Sequence, residues 1–207
     1  MAVLTISRQF GAGGKTLAEK VAERLGYTIA TEEIIEQLAE LAKVSPENLP
    51  SFEAEQDFLS RPASGVLSPR RFLDHILDPH RNFMEGSIYV KLLHEIVPKI
   101  AKKDNTIIVG RGAQFILKGA FDVHHVLLVA PEDFRVRFMV DAYDLTLPEA
   151  RKIVSRQEKR RTALMRLFHQ TDYDQPWHYD IVLNMEKLDM NTAVDFVCAL
   201  IEKIDGE

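Results

Sequence analysis

The chain has 207 residues, 46% hydrophobic and 28% charged, with a formal net charge of −5, which suits one α/β domain over 1–207 and leaves too little for two full ones. No uncharged run approaches the ~20 apolar residues needed to cross a bilayer, so no membrane association is expected. The acidic balance argues against a general nucleic-acid binder, because counterion-driven binding needs a basic surface.

The chain opens with the apolar run Val3–Ile6, which reads as a buried strand. It lacks the basic flank and apolar core of a signal peptide. The single cysteine, Cys198, cannot close an internal disulfide and reads as a buried thiol on an apolar helical face. A cytoplasmic location is the expectation. Next comes "SRQFGAGGKT", Ser7 to Thr16, and then a helix whose apolar face is Leu17, Ala18, Val21 and Leu25, with Gly26 placed to end it. A weaker strand candidate lies at Tyr27–Ala30. Helical periodicity follows over Glu32–Lys43, Ile88–Lys102, Pro131–Asp144, Pro148–His169 and Asn191–Ile204, and strands are predicted at Thr106–Val109, Val126–Ala130 and Ile181–Leu183. Alternating strands and helices predict a parallel sheet covered by helices. The stretch 45–85, with Pro46, Pro50, Pro62, Pro69 and Pro79, breaks the alternation and reads as a mobile insertion of short helices and loops.

The pattern G-x-x-x-x-G-K-[ST] binds phosphate because a glycine-rich turn from strand to helix aims consecutive backbone N–H groups at the anion. Lysine reaches the outer phosphates and the hydroxyl holds Mg²⁺. Gly14, Lys15 and Thr16 fill its last three positions, while Gln9 stands where the first glycine belongs. Gly11 and Gly13 still permit the turn and the close approach. The bland reading is a tight βα connection. A dinucleotide-binding reading fits less well, since the third glycine of G-x-G-x-x-G is missing and no acid follows a second strand at the proper distance.

In "NTIIVGRGAQFIL" a buried strand ends at Val109 and delivers Arg111, between Gly110 and Gly112, to the carboxyl edge of the sheet, where open α/β sheets bind ligands. The alternative is an arginine that caps the next helix or pairs with a surface carboxylate. Residues 151–166 carry seven Lys or Arg, opposed only by Glu158. Arg156, Lys159, Arg160 and Arg161 cluster within two turns, ahead of a polar and aromatic loop that includes Asp172, Tyr173, Asp174 and Trp177. Such a helix is usually a solvated face. Beside a phosphate loop it suits phosphoryl transfer, which needs cations closing over the transferred group.

Together "ISRQFGAGGKTLAEKVAERLG", "IIVGRGAQFIL", "HHVLLVAPEDFRVR" and "EKRRTALMRLFHQTDYDQPWHYDIVLN" resemble, in order, blocks of the cytidylate kinase-like family of P-loop nucleoside monophosphate kinases. The resemblance implies the three-layer P-loop NTPase fold, a five-stranded parallel sheet flanked by helices, with a monophosphate-binding insertion at 45–85 and a basic lid at 151–178. It implies ATP and Mg²⁺ as cofactors and a small nucleotide, CMP or dCMP, as substrate. Gly11, Ala12, Gly13, Gly14, Lys15 and Thr16 then hold the ATP phosphates, with Thr16 on the metal. Lys15, Arg156, Arg160 and Arg161 attend the transferred group, and Arg8 and Arg111 bind the acceptor. Cytidylate kinases carry Asp-Gly-Arg-Asp at this strand end, whereas this chain has Val109-Gly110-Arg111-Gly112. Both acids are gone. Glu32 or Glu33 is a candidate replacement near Mg²⁺, and weak cytidine selectivity is expected. A nucleotide-binding regulator without turnover, or a kinase of another small molecule, remains open.

Overall fold

Short apolar runs rich in β-branched residues satisfy their backbone N–H and C=O groups by pairing, and helices then cover both faces. The computed structural model describes residues 2–43 and 86–204. The insertion expected at 45–85 lies outside the described residues. Strands β1 (Val3–Arg8), β2 (Thr28–Ile29), β3 (Thr106–Val109), β4 (Val123–Val129) and β5 (Ile181–Asn184) form one sheet in the order β2-β3-β1-β4-β5. All four pairings are parallel, so every strand presents its carboxyl end to the same edge.

Pairing sets the strand limits more generously than hydrophobicity suggests. β1 runs past Ile6 because Ser7 and Arg8 still pair with Leu127 and Leu128, and β4 begins at Val123 because that residue already pairs with Val3. The weak candidate at Tyr27–Ala30 shrinks to the edge strand β2.

The helices are α1 (Gly14–Leu25), α2 (Thr31–Ala42), α3 (Gly86–Ala101), α4 (Ala113–Ile116), α5 (Glu132–Tyr143), α6 (Leu147–Leu167) and α7 (Met190–Ile204). The sequence reading missed α4, a single turn. Period-2 alternation divides the core between the two faces of the sheet. Leu4, Ile6, Ile107, Val109, Val126 and Leu128 pack on α1 and α7, and Cys198 is buried there as expected. Val3 and Ile108 point the opposite way, onto α2, α3, α4 and the end of α6. A third cluster joins α5 to α6 around Phe10. Gly26 ends α1 at φ 69°, its N–H donating to the Ala22 carbonyl. At the start of α6 the Thr146 N–H donates to Glu149 Oε2 at 2.9 Å, and Pro148 sits in the first turn, where its missing N–H costs nothing.

Candidate active site

β1 ends at Arg8 and α1 starts at Gly14, so Gln9 to Gly13 make the turn between them. Gly11 (φ 85°) and Gly13 (φ 83°) take the left-handed conformation that the turn requires. Within it the Ala12 N–H bonds the Gln9 carbonyl at 3.1 Å and the Leu17 N–H bonds the Gly13 carbonyl at 3.0 Å. Among the described residues no carbonyl takes the N–H groups of Gly13, Gly14, Lys15 or Thr16. These are the orphan donors of a helix N-terminus, gathered on a glycine turn with Lys15 among them. Lys15 is partly exposed and lies 3.4 Å from Glu19 one turn on, a pair weak enough for an anion to displace.

The residue at the missing glycine fastens the loop with its side chain. Gln9 Oε1 accepts from the Ala130 N–H at 3.0 Å, just past β4, and Gln9 Nε2 donates to Asp174 at 3.4 Å. Phe10, 3% exposed, fills the pocket between α5 and α6. Its N–H donates to Glu158 Oε1 at 2.9 Å. Arg135, 7% exposed, donates to the carbonyls of Ala130 at 3.0 Å and Phe10 at 3.1 Å and to Glu158 at 3.2 Å. A buried guanidinium is tolerated only with this many acceptors. Gly11 runs against the Arg135 backbone, which a Cβ there would meet at 3.0 Å. The sequence reading did not single out Arg135, and a spacing-based search does not join residues that meet only through folding.

Beside the loop a cleft of about 500 Å³, its open mouth included, is lined by Ser7 and Arg8 from β1, Gly110 to Gly112 after β3, Tyr89 from α3, and Gln157, Arg160, Arg161, Leu164 and Met165 from α6. Arg8 joins loop and cleft. Its side chain lies where a Cβ on Gly14 would meet Cγ at 2.7 Å and one on Gly110 would meet Nη1 at 2.1 Å. Those two glycines are the space the arginine occupies. Arg111, 5% exposed, takes φ 58° and donates to the Thr31 carbonyl at 3.4 Å. Arg8, Arg111, Arg160 and Arg161 thus line one cleft.

Arg156 and Lys159 do not line it. The cleft face of α6 is Gln157, Arg160, Arg161 and Leu164, the i, i+3, i+4, i+7 set, and neither residue lies on that row. The island of positive charge is also divided. Arg151 bridges Glu132 at 3.1 Å and Asp133 at 2.8 Å on α5. Arg161 forms a two-pronged pair with Asp174, one prong at 2.9 Å, and stacks 4.8 Å from the Tyr173 ring centroid. Burial opposes its charge, but the hydrogen bonds and charge of Asp174 outweigh that and raise its pKa. Tyr179 lies nearby, accepting from Gln114 at 3.3 Å and donating to the Tyr173 carbonyl at 2.6 Å. Burial pushes its pKa up, partly opposed by a hydrogen bond with Ser7.

The two lost acids leave no room for themselves. Val109 is packed in the core under the sheet. A Cβ on Gly112 (φ 67°) would meet the Phe168 ring at 2.6 Å. Neither glutamate candidate reaches the cleft, for Glu33 binds Lys103 at 2.7 Å and Gln37 at 2.9 Å and Glu32 is exposed. Among the described residues no group of three metal-ligating side chains exists, and Asp174 and Glu158 are engaged with arginines. The residues present fit Mg²⁺ in one manner, with the Thr16 hydroxyl at the helix start as a hard oxygen ligand and phosphate oxygens as the others.

A parallel sheet in this order, with a glycine loop between its central strand and the first helix and a basic cleft at the strand ends, is the fold of P-loop kinases. The sequence pattern of the cytidylate kinase-like family matches residues 3–187, and the chain belongs to that family. No curated protein matches the chain. Among solved structures, an uncharacterized protein from Eubacterium ventriosum is similar, with a TM-score of 0.66 and 20% identity over 98% of this chain and 98% of that one. A Thermus thermophilus protein follows at TM-score 0.50 and 16% identity, covering 97% of each chain. A gluconokinase from Sinorhizobium meliloti gives TM-score 0.50 and 13% identity over 98% of this chain and 93% of its own. At these identities the likeness is one of fold. Among the described residues no helix is long and apolar enough to cross a membrane.

Proposed function

We propose that the protein transfers the γ-phosphoryl group of ATP to a small phosphorylated acceptor, a nucleoside monophosphate such as CMP or dCMP by family resemblance. The observation that carries this reading is the set of unclaimed N–H groups at Gly13 to Thr16, joined by Arg8 to an arginine-lined cleft. The loop amides and Lys15 hold the ATP phosphates, and Mg²⁺, bound at Thr16, supplies charge neutralisation on the outer phosphates. Arg8 and Arg111 orient the acceptor, and Arg160 faces the transferred group.

An acceptor phosphate oxygen attacks Pγ while the bond from Pγ to the bridging oxygen breaks, leaving ADP with the electron pair. A phosphate oxygen is already ionised, so the step asks for cations and positioning rather than a base. Arg161 acts differently from the sequence expectation: locked to Asp174, it shapes the wall of the cleft. Regulation without turnover is the second reading, favoured by the packing of Val109 and Phe168 where the two acids would stand. Coupled ADP release across nucleoside monophosphates and small hydroxyl acceptors separates them. Acceptor-dependent release with a phosphorylated compound is expected, and none with any acceptor would leave the regulatory reading.

A further inference from the structure

The α6 face toward the cleft holds one polar group that the phosphate-transfer machinery does not use. Gln157 is 2% exposed and lines the cleft one turn before Arg160 and Arg161. Its buried Nε2 has no hydrogen-bond partner. An amide stranded in this way costs stability unless something outside the chain accepts its protons. Its cationic neighbours Arg8, Arg111, Arg160 and Arg161 are donors only and cannot do so. A ligand oxygen can take these protons, displacing any water that holds them in the free protein.

An acceptor phosphate held by Arg8 and Arg111 takes charge-assisted bonds from them in preference to a neutral amide. The amide is therefore left for an uncharged oxygen close to the phosphate. A hydroxyl suits it, since an amide can donate to a hydroxyl oxygen through Nε2 and accept from it through Oε1. We propose that Gln157 is a specificity residue of the acceptor site and that the acceptor is a phosphorylated polyol, read by the amide at a hydroxyl near its phosphate. This rests on the acceptor reading given above, and the ribose of a nucleoside monophosphate and a free sugar phosphate share the required chemistry.

The test is calorimetric, with CMP, ribose 5-phosphate and methyl phosphate as probes against the wild-type chain and Gln157→Leu, which keeps the bulk and removes both polar atoms. Wild type should bind CMP or ribose 5-phosphate about tenfold tighter than methyl phosphate, the order expected of one well-made neutral hydrogen bond. Gln157→Leu should erase that advantage while leaving methyl phosphate and Mg·ATP affinity unchanged. The better of the two hydroxylated probes identifies the source. Equal loss for methyl phosphate would place the amide on the phosphate and overturn the proposal, as would unchanged binding of every probe or no probe bound by wild type. If Gln157→Leu does not fold, Gln157→Met takes its place under the same outcomes. Discriminating binding without ADP release would defeat phosphoryl transfer and sustain this inference, so the two fail separately.

Discussion

Placing a methyl group on Gly112 tests whether the acid-free strand end is a packed structure or an empty slot. Two costs are separable there. The left-handed backbone at φ 67° penalises any Cβ by about 1–2 kcal/mol. The Phe168 ring, with three carbons at 2.6, 2.7 and 3.0 Å from the built Cβ, adds an overpacking cost of about 1–3 kcal/mol. Gly119 provides the control, for its φ is +74° and nothing lies within 4 Å of its Cβ. For a chain of this length each kcal/mol moves Tm by about 2–4 °C. Thermal unfolding of Gly112→Ala should therefore fall roughly 2–12 °C below that of Gly119→Ala. Equal melting of the two variants would show that Phe168 yields freely and that the missing acid has left usable space.

Lys15→Ala should abolish ADP formation and leave unfolding within about 0.5 kcal/mol of wild type, since its ion pair with Glu19 is a surface one; retained turnover would remove the loop from the mechanism. Phe10→Ala, emptying a site 3% exposed, should cost about 3–5 kcal/mol in denaturant unfolding and raise the KM for ATP, and unchanged values for both would deny that the α5–α6 pocket fixes the loop. Tyr143 is held up to about 12, chiefly by burial, above its unfolded value. The folded state keeps the proton that the unfolded state loses, so this contribution is whole below about pH 10 and disappears as pH rises through about 12. Tyr143→Phe should lose stability less steeply over that window, and parallel curves would contradict the assignment.

Much of the fold was legible because strands and amphipathic helices follow one period each. The helices of the described residues lie within a residue or two of where the 3.6-residue pattern puts them, apart from α4, whose single turn is too short to show one. The strand limits were less legible because they depend on partners, as Ser7 and Arg8 show by pairing with β4. The loop's backbone course was readable from its glycines. Its fastening was not, since Gln9, Phe10, Arg135 and Glu158 are brought together from three elements by tertiary packing. Charge clustering over-reached for the same reason. A run of cations in sequence gave no indication that Asp174 holds Arg161, that Arg151 turns to α5, or that Arg156 lies off the cleft face of α6.

Crystals grown with Mg²⁺ and a non-hydrolysable ATP analogue test the central claim most directly. The account requires the analogue's phosphates against the amides of Gly13, Gly14 and Lys15, the metal on the Thr16 hydroxyl, and the outer phosphate facing the Arg8, Arg111 and Arg160 cleft. An analogue bound elsewhere, or a loop whose N–H groups have turned onto protein carbonyls, would contradict it.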